Sequence, residues 1–258
     1  MWGSLKGPSL RHPELICPYT FKALRRQLGL PERREHEPGM IDAARSNDSE
    51  LCREMLTVYG LSEEQMLHAA ERYRLGRSRS GKTIYWMIDE TGAMLDGHIG
   101  SAPVGEEFSS SWVSTLLKRR YPEAASLVPF PHCLFGLHLL GETMNQDPLT
   151  MNQRVCVVER EPAAVVLSEL YPDSLWLAYV YPANLLVERF KPLEGRRITL
   201  FPSTDPSGDE YFSTLELADQ VRHHYPTIDL SVSSILEDHA TAEQKQRGID
   251  ILNFLFEQ

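Results

Sequence analysis

Cysteine is scarce in this chain of 258 residues. Cys17, Cys52, Cys133 and Cys156 are scattered, and no two form a CxxC pair. That spacing excludes a disulfide framework and the usual structural zinc modules, and it reads as reduced thiols in a cytoplasmic protein. No apolar run is long enough to span a bilayer, so no membrane partner is expected. The first residues, Met-Trp-Gly-Ser-Leu-Lys, lack the apolar core of a signal peptide. A net positive charge is missing too: the formal charge is −10, which argues against a chain basic throughout.

What is present is ordinary globular composition, 42% hydrophobic and 24% charged, enough for one large or two modest domains. The charge is unevenly spread. Residues 201–258 hold 11 acidic and 3 basic side chains, whereas residues 1–121 hold 16 and 17. If nucleic acid binds, the N-terminal half is the place for it.

Residues 1–48 read as an irregular arm with five prolines, a short helix at 19–28, and local basic character from Arg25, Arg26, Arg33 and Arg34. Asn47-Asp-Ser-Glu-Leu opens a helix that Gly60 closes. Ser62-Glu-Glu-Gln is a capping box for a second helix, with Met66, Leu67, Ala69, Ala70 and Tyr73 on its buried side. Gly76-Arg-Ser-Arg-Ser-Gly-Lys-Thr83 matches the phosphate-cradling pattern GxxxxGK[ST] letter for letter. That cradle needs a strand before the loop and a helix after it; here the order is reversed. A nucleotide hydrolase acting through Lys82 is the reading this leaves behind, and a basic turn into a strand is the better one. Arg72, Arg74, Arg77, Arg79 and Lys82 place five cations in eleven residues, either an anion-binding patch or a solvated loop.

Asp89-Glu-Thr-Gly92 signals a hairpin between strands at 83–88 and 93–99. A loop follows at 100–110, then a helix at 111–121 with Trp112, Val113, Leu116 and Leu117 inward. His132, Cys133 and His138 lack zinc spacing and read as core and turn residues. Leu137–Leu140 reads as the end of a short helix and 141–152 as a loop. From Arg154 onward, strands at 154–158, 174–180, 197–201 and 228–232 alternate with helices at 162–170, 183–190 and 211–225, before a final helical segment at 241–258. Such alternation implies an α/β fold: an open, mainly parallel sheet with helices on both faces. The divisions expected are an arm at 1–48, a smaller α+β region at 49–131, and an α/β domain at 132–258.

Glu159 follows the first of these strands; Asp205 and Asp209 follow the third. Parallel strands present their carboxyl ends on one edge, so these acids can converge there, as a Mg²⁺ site requires. Asp205-Pro-Ser-Gly is equally plain turn chemistry.

An ordered series of segments carries a family resemblance. They are Glu71-Arg-Tyr-Arg-Leu-Gly76, Thr83-Ile-Tyr-Trp-Met-Ile-Asp-Glu-Thr-Gly92, His132-Cys-Leu-Phe-Gly-Leu-His-Leu-Leu140, Val157-Val-Glu-Arg-Glu-Pro-Ala163, Leu175-Trp-Leu-Ala178 and Leu193-Glu-Gly-Arg-Arg-Ile-Thr-Leu-Phe-Pro202. From about 55 to 225 the chain resembles primase-like proteins of bacterial mobile elements with a Toprim-type C-terminal domain. The resemblance implies a Toprim-like sheet, a Mg²⁺ cofactor and single-stranded nucleic acid as a partner. The family's first-strand glutamate falls on Glu159, and a second acid common in relatives falls on Glu161. The Asp-x-Asp motif falls on Ser203-Thr204-Asp205, so its first aspartate is a serine and one charge of the cage is missing. Pro162 stands where relatives carry a basic residue.

Two functions follow. In the first, Glu159 is catalytic, as general base or metal ligand; Glu159, Asp205 and Asp209 hold Mg²⁺; and Arg72, Arg74, Arg77, Arg79 and Lys82 guide a nucleic-acid strand. In the second, the protein keeps the fold as a non-catalytic binding or accessory protein with a protein partner.

Overall fold

The computed structural model describes residues 44–100, 111–120, 133–144, 153–181 and 185–257. Most of the expected arm, the 101–110 loop, Pro129, Pro131 and His132 lie outside the described residues.

The chain opens with a helical hairpin. Ser49 accepts a hydrogen bond from the Cys52 backbone and caps α1 (Glu50–Thr57). Gly60 reverses the chain at φ 64°, a conformation that costs glycine nothing. Ser62 and Gln65 form the expected capping box of α2 (Glu63–Arg72). Leu67 is 40% exposed, contrary to expectation. The buried stripe of α2 runs through Met66, Ala69, Ala70 and Tyr73, at helical spacing, and position 67 lies outside it.

A four-stranded antiparallel sheet follows, made of β1 (Gly76–Arg77), β2 (Thr83–Ile88), β3 (Met94–Gly100) and β4 (Ser111–Trp112), in that order. The turn between β1 and β2 is closed by Ser78 N to Lys82 O at 2.8 Å and Gly81 N to Ser78 O at 3.0 Å. No helix follows it, so the GxxxxGK[ST] match is a turn between strands. Ser111 and Trp112 were expected in a helix, but they pair with Ile99 and His98. Strand pairing overrides local preference there, and α3 (Val113–Arg120) begins one residue later. Every residue of β2 is buried. Trp86 points to the face away from the main core, where a Cβ on Gly97 would lie 2.7 Å from its ring, so that position needs glycine.

Leu137–Leu140 opens a helix rather than ending one: α4 spans Leu139–Met144. The rest is the expected parallel unit: β5 (Arg154–Glu159), α5 (Glu161–Leu170), β6 (Ser174–Tyr179), β7 (Arg197–Phe201), α6 (Asp209–His224) and β8 (Asp229–Val232). All neighbouring strands run parallel, in the order β6-β5-β7-β8. The chain steps one way from β5 to β6 and the other way from β7 to β8. Right-handed crossovers therefore set α5 and α6 on opposite faces. The protein is thus mixed α/β with helices flanking a parallel sheet. Residues 182–184 lie outside the description, and the helix expected at 183–190 is a 3-10 helix at Val187–Leu193, with Pro192 inside it. A short helix, α7 (Ile235–His239), precedes the final segment, and that segment is broken into α8 (Ala242–Arg247) and α9 (Ile251–Phe256), because Gly248 ends α8 in the left-handed region and Asp250 caps a new start. Among the described residues no helix is long and apolar enough to cross a membrane.

One core runs from the hairpin into the parallel sheet. Tyr73 stacks on Phe135 at 5.3 Å and donates to Trp176 O at 2.8 Å. Phe135 bridges Ala178 through two backbone hydrogen bonds, covering the outer edge of β6. Between the two sheets, His98 Nδ1 of β3 lies 2.6 Å from Glu161 Oε1 at the start of α5, with both side chains almost fully buried. Burying two polar groups is offset only while each satisfies the other. A double-mutant cycle with His98→Ala and Glu161→Ala is expected to give a coupling of about 1.5–3 kcal/mol in chemical denaturation. A coupling below about 0.5 kcal/mol would show that the pair acts through packing alone.

Candidate functional site

The candidate site lies at the carboxyl edge of the parallel sheet. β5 is flanked by β6 on one side and β7 on the other, and the connections leave in opposite directions. That switch point opens a crevice where α/β sheets take ligands. A pocket of about 320 Å³ occupies it, lined by Glu159, Arg160, Val180, Tyr181, Ser203, Thr204, Asp205, Glu210 and Gly248.

Glu159 ends β5, paired in register with Tyr179. Burial pushes its carboxyl above the ordinary range, and Glu210 and Asp250 add to the rise, while Ser203 and Arg160 pull it down. Ser203 Oγ is buried and forms no hydrogen bond of good geometry. Thr204 Oγ1 is likewise buried without a partner. The loop that carries both is pinned by Thr204 N to Ile249 O at 3.0 Å.

Asp205 is committed to the chain itself. Its Oδ1 accepts from Ser207 N at 2.9 Å, Ser207 Oγ at 2.5 Å and Asp209 N at 3.2 Å; its Oδ2 accepts from Glu210 N at 2.8 Å. Burial works against the charged carboxylate, but these four bonds outweigh it and lower the pKa to about 2. Asp205 therefore anchors the first turn of α6. Asp209 is exposed and does not line the pocket; Glu210, one residue on, does. Burial raises the Glu210 carboxyl, helped by Asp205 and Asp209.

Arg160 was not anticipated. It sits between β5 and α5 at φ 69°, a left-handed conformation that non-glycine residues avoid. Its Nη2 donates to Asn253 Oδ1 and pairs with Asp250 Oδ2, both at 3.1 Å. Its position beside Glu159 was visible in the sequence, but its partners lie at the far end of the chain. Glu161, expected beside Glu159, turns away and joins His98 between the sheets.

The residues do not fit a Mg²⁺ cage as they stand. Among the described residues no three His, Cys, Asp or Glu side chains form a group able to hold a metal. Mg²⁺ demands oxygens in near-octahedral array, and the oxygens of Asp205 are turned to backbone N–H groups.

The basic cluster stands elsewhere: Arg72 ends α2, Arg74 precedes β1, and Arg77, Arg79 and Lys82 lie at the turn between β1 and β2. Arg77 and Arg79 are exposed; Arg72, Arg74 and Lys82 are half-buried. A Cβ on Gly81 would lie 3.2 Å from Arg53 Nη2 and 4.0 Å from Arg77 Nη2, so Arg53 joins the group. Arg77 Nε donates to Asp48 O at 3.0 Å, which orients it.

Replacing Asp205 with alanine is expected to lower stability by about 1 kcal/mol at neutral pH, as loss of a helix cap does. Because the folded pKa is depressed from 3.8 to about 2, this contribution is complete above the unfolded value and fades as pH falls through about 2. Denaturation midpoints equal to wild type at neutral pH would refute the anchoring role.

No curated protein matches the chain in sequence. Among solved structures, the chain is similar to the DnaG primase catalytic domain bound to ssDNA, with a TM-score of 0.49 and 13% identity over 93% of this chain and 82% of that one. It is similar to the E. coli primase catalytic core, with a TM-score of 0.45 and 13% identity over 95% and 82%. It is similar also to the primase fragment of the bacteriophage T7 primase-helicase protein, with a TM-score of 0.44 and 16% identity over 81% and 75%. A family model described as a domain of unknown function, DUF6371, matches residues 49–204, from the cap of α1 to the pocket loop after β7, and the chain belongs to that family.

Proposed function

We propose that this chain is a nucleic-acid-binding protein of primase-like, Toprim-type descent that holds a single strand on the basic turn between β1 and β2. The observation that carries this reading is the arrangement of that turn: Arg77 and Arg79 exposed, Arg53 and Arg77 gathered over Gly81, and Arg72, Arg74 and Lys82 close in sequence around them. Cations fixed along one edge neutralise successive phosphates and release counterions, and this is the main source of affinity in sequence-independent binding. The ordered segments shared with primase-like proteins of bacterial mobile elements support the descent.

A second reading is favoured by a separate observation at the pocket. Asp205 caps α6, Ser203 is neutral, and Asp209 does not line the pocket. On this reading the chain binds without catalysing phosphoryl transfer, as an accessory to another protein. If the site is active, Glu159 is its base, because burial holds its carboxyl above the ordinary range and so brings it nearer to neutral pH.

Fluorescence anisotropy with a labelled single-stranded oligonucleotide tests the first reading. Combined Arg77→Glu and Arg79→Glu should weaken binding at least about tenfold and lower the salt slope by about 1.4, for two lost phosphate contacts. Wild-type affinity and slope in the double variant, or no binding by wild type, would remove the basic turn as the interface.

A further inference from the structure

We infer that Arg160 is the fixed cation of the switch-point pocket, and that it makes the site independent of divalent metal. This inference concerns the pocket alone and does not rest on nucleic-acid binding.

Three observations converge on it. Arg160 lines the same pocket as Glu159, Asp205 and Glu210, so the residue beside the acids carries a permanent positive charge. That charge is not free to swing away. It is held by Asp250, the almost fully buried N-cap of α9, and by Asn253 in the first turn of that helix. The backbone at Arg160 adopts φ 69° and its N–H donates to Tyr179 O at 2.8 Å, so the residue is locked at both main chain and side chain. The oxygens that a dication could otherwise take stand beside it, on Glu159, Glu210, Ser203 and Thr204, while those of Asp205 are occupied by backbone donors. A dication in this pocket would share it with the positive charge of Arg160. Any ligand would be recognised directly, by Arg160 and by the buried, unpartnered hydroxyls of Ser203 and Thr204.

The test is Mn²⁺ titration by calorimetry on the full chain, Mn²⁺ being a probe that binds oxygen cages more tightly than Mg²⁺ does. Wild type should give no saturable binding. Arg160→Gln combined with Asp250→Asn removes both charges of the pair while keeping a good helix cap at position 250. This variant should gain a Mn²⁺ site at least about tenfold tighter than any wild-type heat indicates. Adding Glu159→Gln should abolish the gained site. Saturable binding by wild type that Glu159→Gln removes would overturn the inference. So would a folded double variant that stays silent, since Arg160 would then not be what excludes the metal. Should the double variant fail to fold, Arg160→Lys keeps the charge and should remain silent to Mn²⁺, and metal binding by it overturns the inference equally. Thermal unfolding gives an independent reading: the wild-type midpoint should be unmoved by Mg²⁺, whereas a rise would reveal a bound ion.

Discussion

Strand β5 is hydrogen-bonded on both sides by parallel neighbours and buried on both faces, so the chain can leave it only at its carboxyl end. It does so in a single residue. Arg160 bends through a left-handed conformation and α5 begins at once. This turn sends three consecutive side chains to three places. Glu159 faces the pocket, Arg160 reaches across it to the last helix, and Glu161 inserts between the two sheets to meet His98. The backbone conformation costs about 1–2 kcal/mol for a residue with a Cβ. The hydrogen bond to Tyr179 O and the contacts to Asp250 and Asn253 offset that cost. The turn therefore links the parallel sheet, the antiparallel sheet and the C-terminal helices.

Charge is divided along the same lines. The pocket at the carboxyl edge is acidic apart from Arg160, and the C-terminal segment that encloses it is acidic as a whole. Arg77, Arg79 and Lys82 stand at the turn between β1 and β2 of the antiparallel sheet, where β1 is only two residues long. The acids of the pocket thus stand at the edge of the parallel sheet, and the cations around β1 and β2 belong to the antiparallel one.

Much of this was legible in the sequence. The apolar run from Val155 to Val158 belongs to a strand covered on both faces, and Pro162 fits the first turn of the helix after it. The capping box at Ser62 and the hairpin turn at Asp89 could be read because each is a local hydrogen-bonding device. The reversed order around Gly76–Thr83 was enough to read the phosphate-loop match as a basic turn into a strand, and the short β1 before it is the structure's addition. Glu159 and Asp205 were placed at one edge because parallel strands leave no other arrangement.

What the sequence could not determine depended on partners far along the chain. Ser111 and Trp112 became a strand because Ile99 and His98 were there to pair with them. Asp205, expected as a ligand, accepts hydrogen bonds from the first turn of α6, because the N–H groups of Asp209 and Glu210 turn toward it. Glu161 left the pocket because a buried histidine from another sheet offered it a hydrogen bond. Arg160, beside Glu159, carried no local sign of its role, because Asn253 lies 93 residues further on. Periodicity and capping are local and are written in the order of residues. Which charges end up facing one another is decided only when the sheets and the last helix close around them.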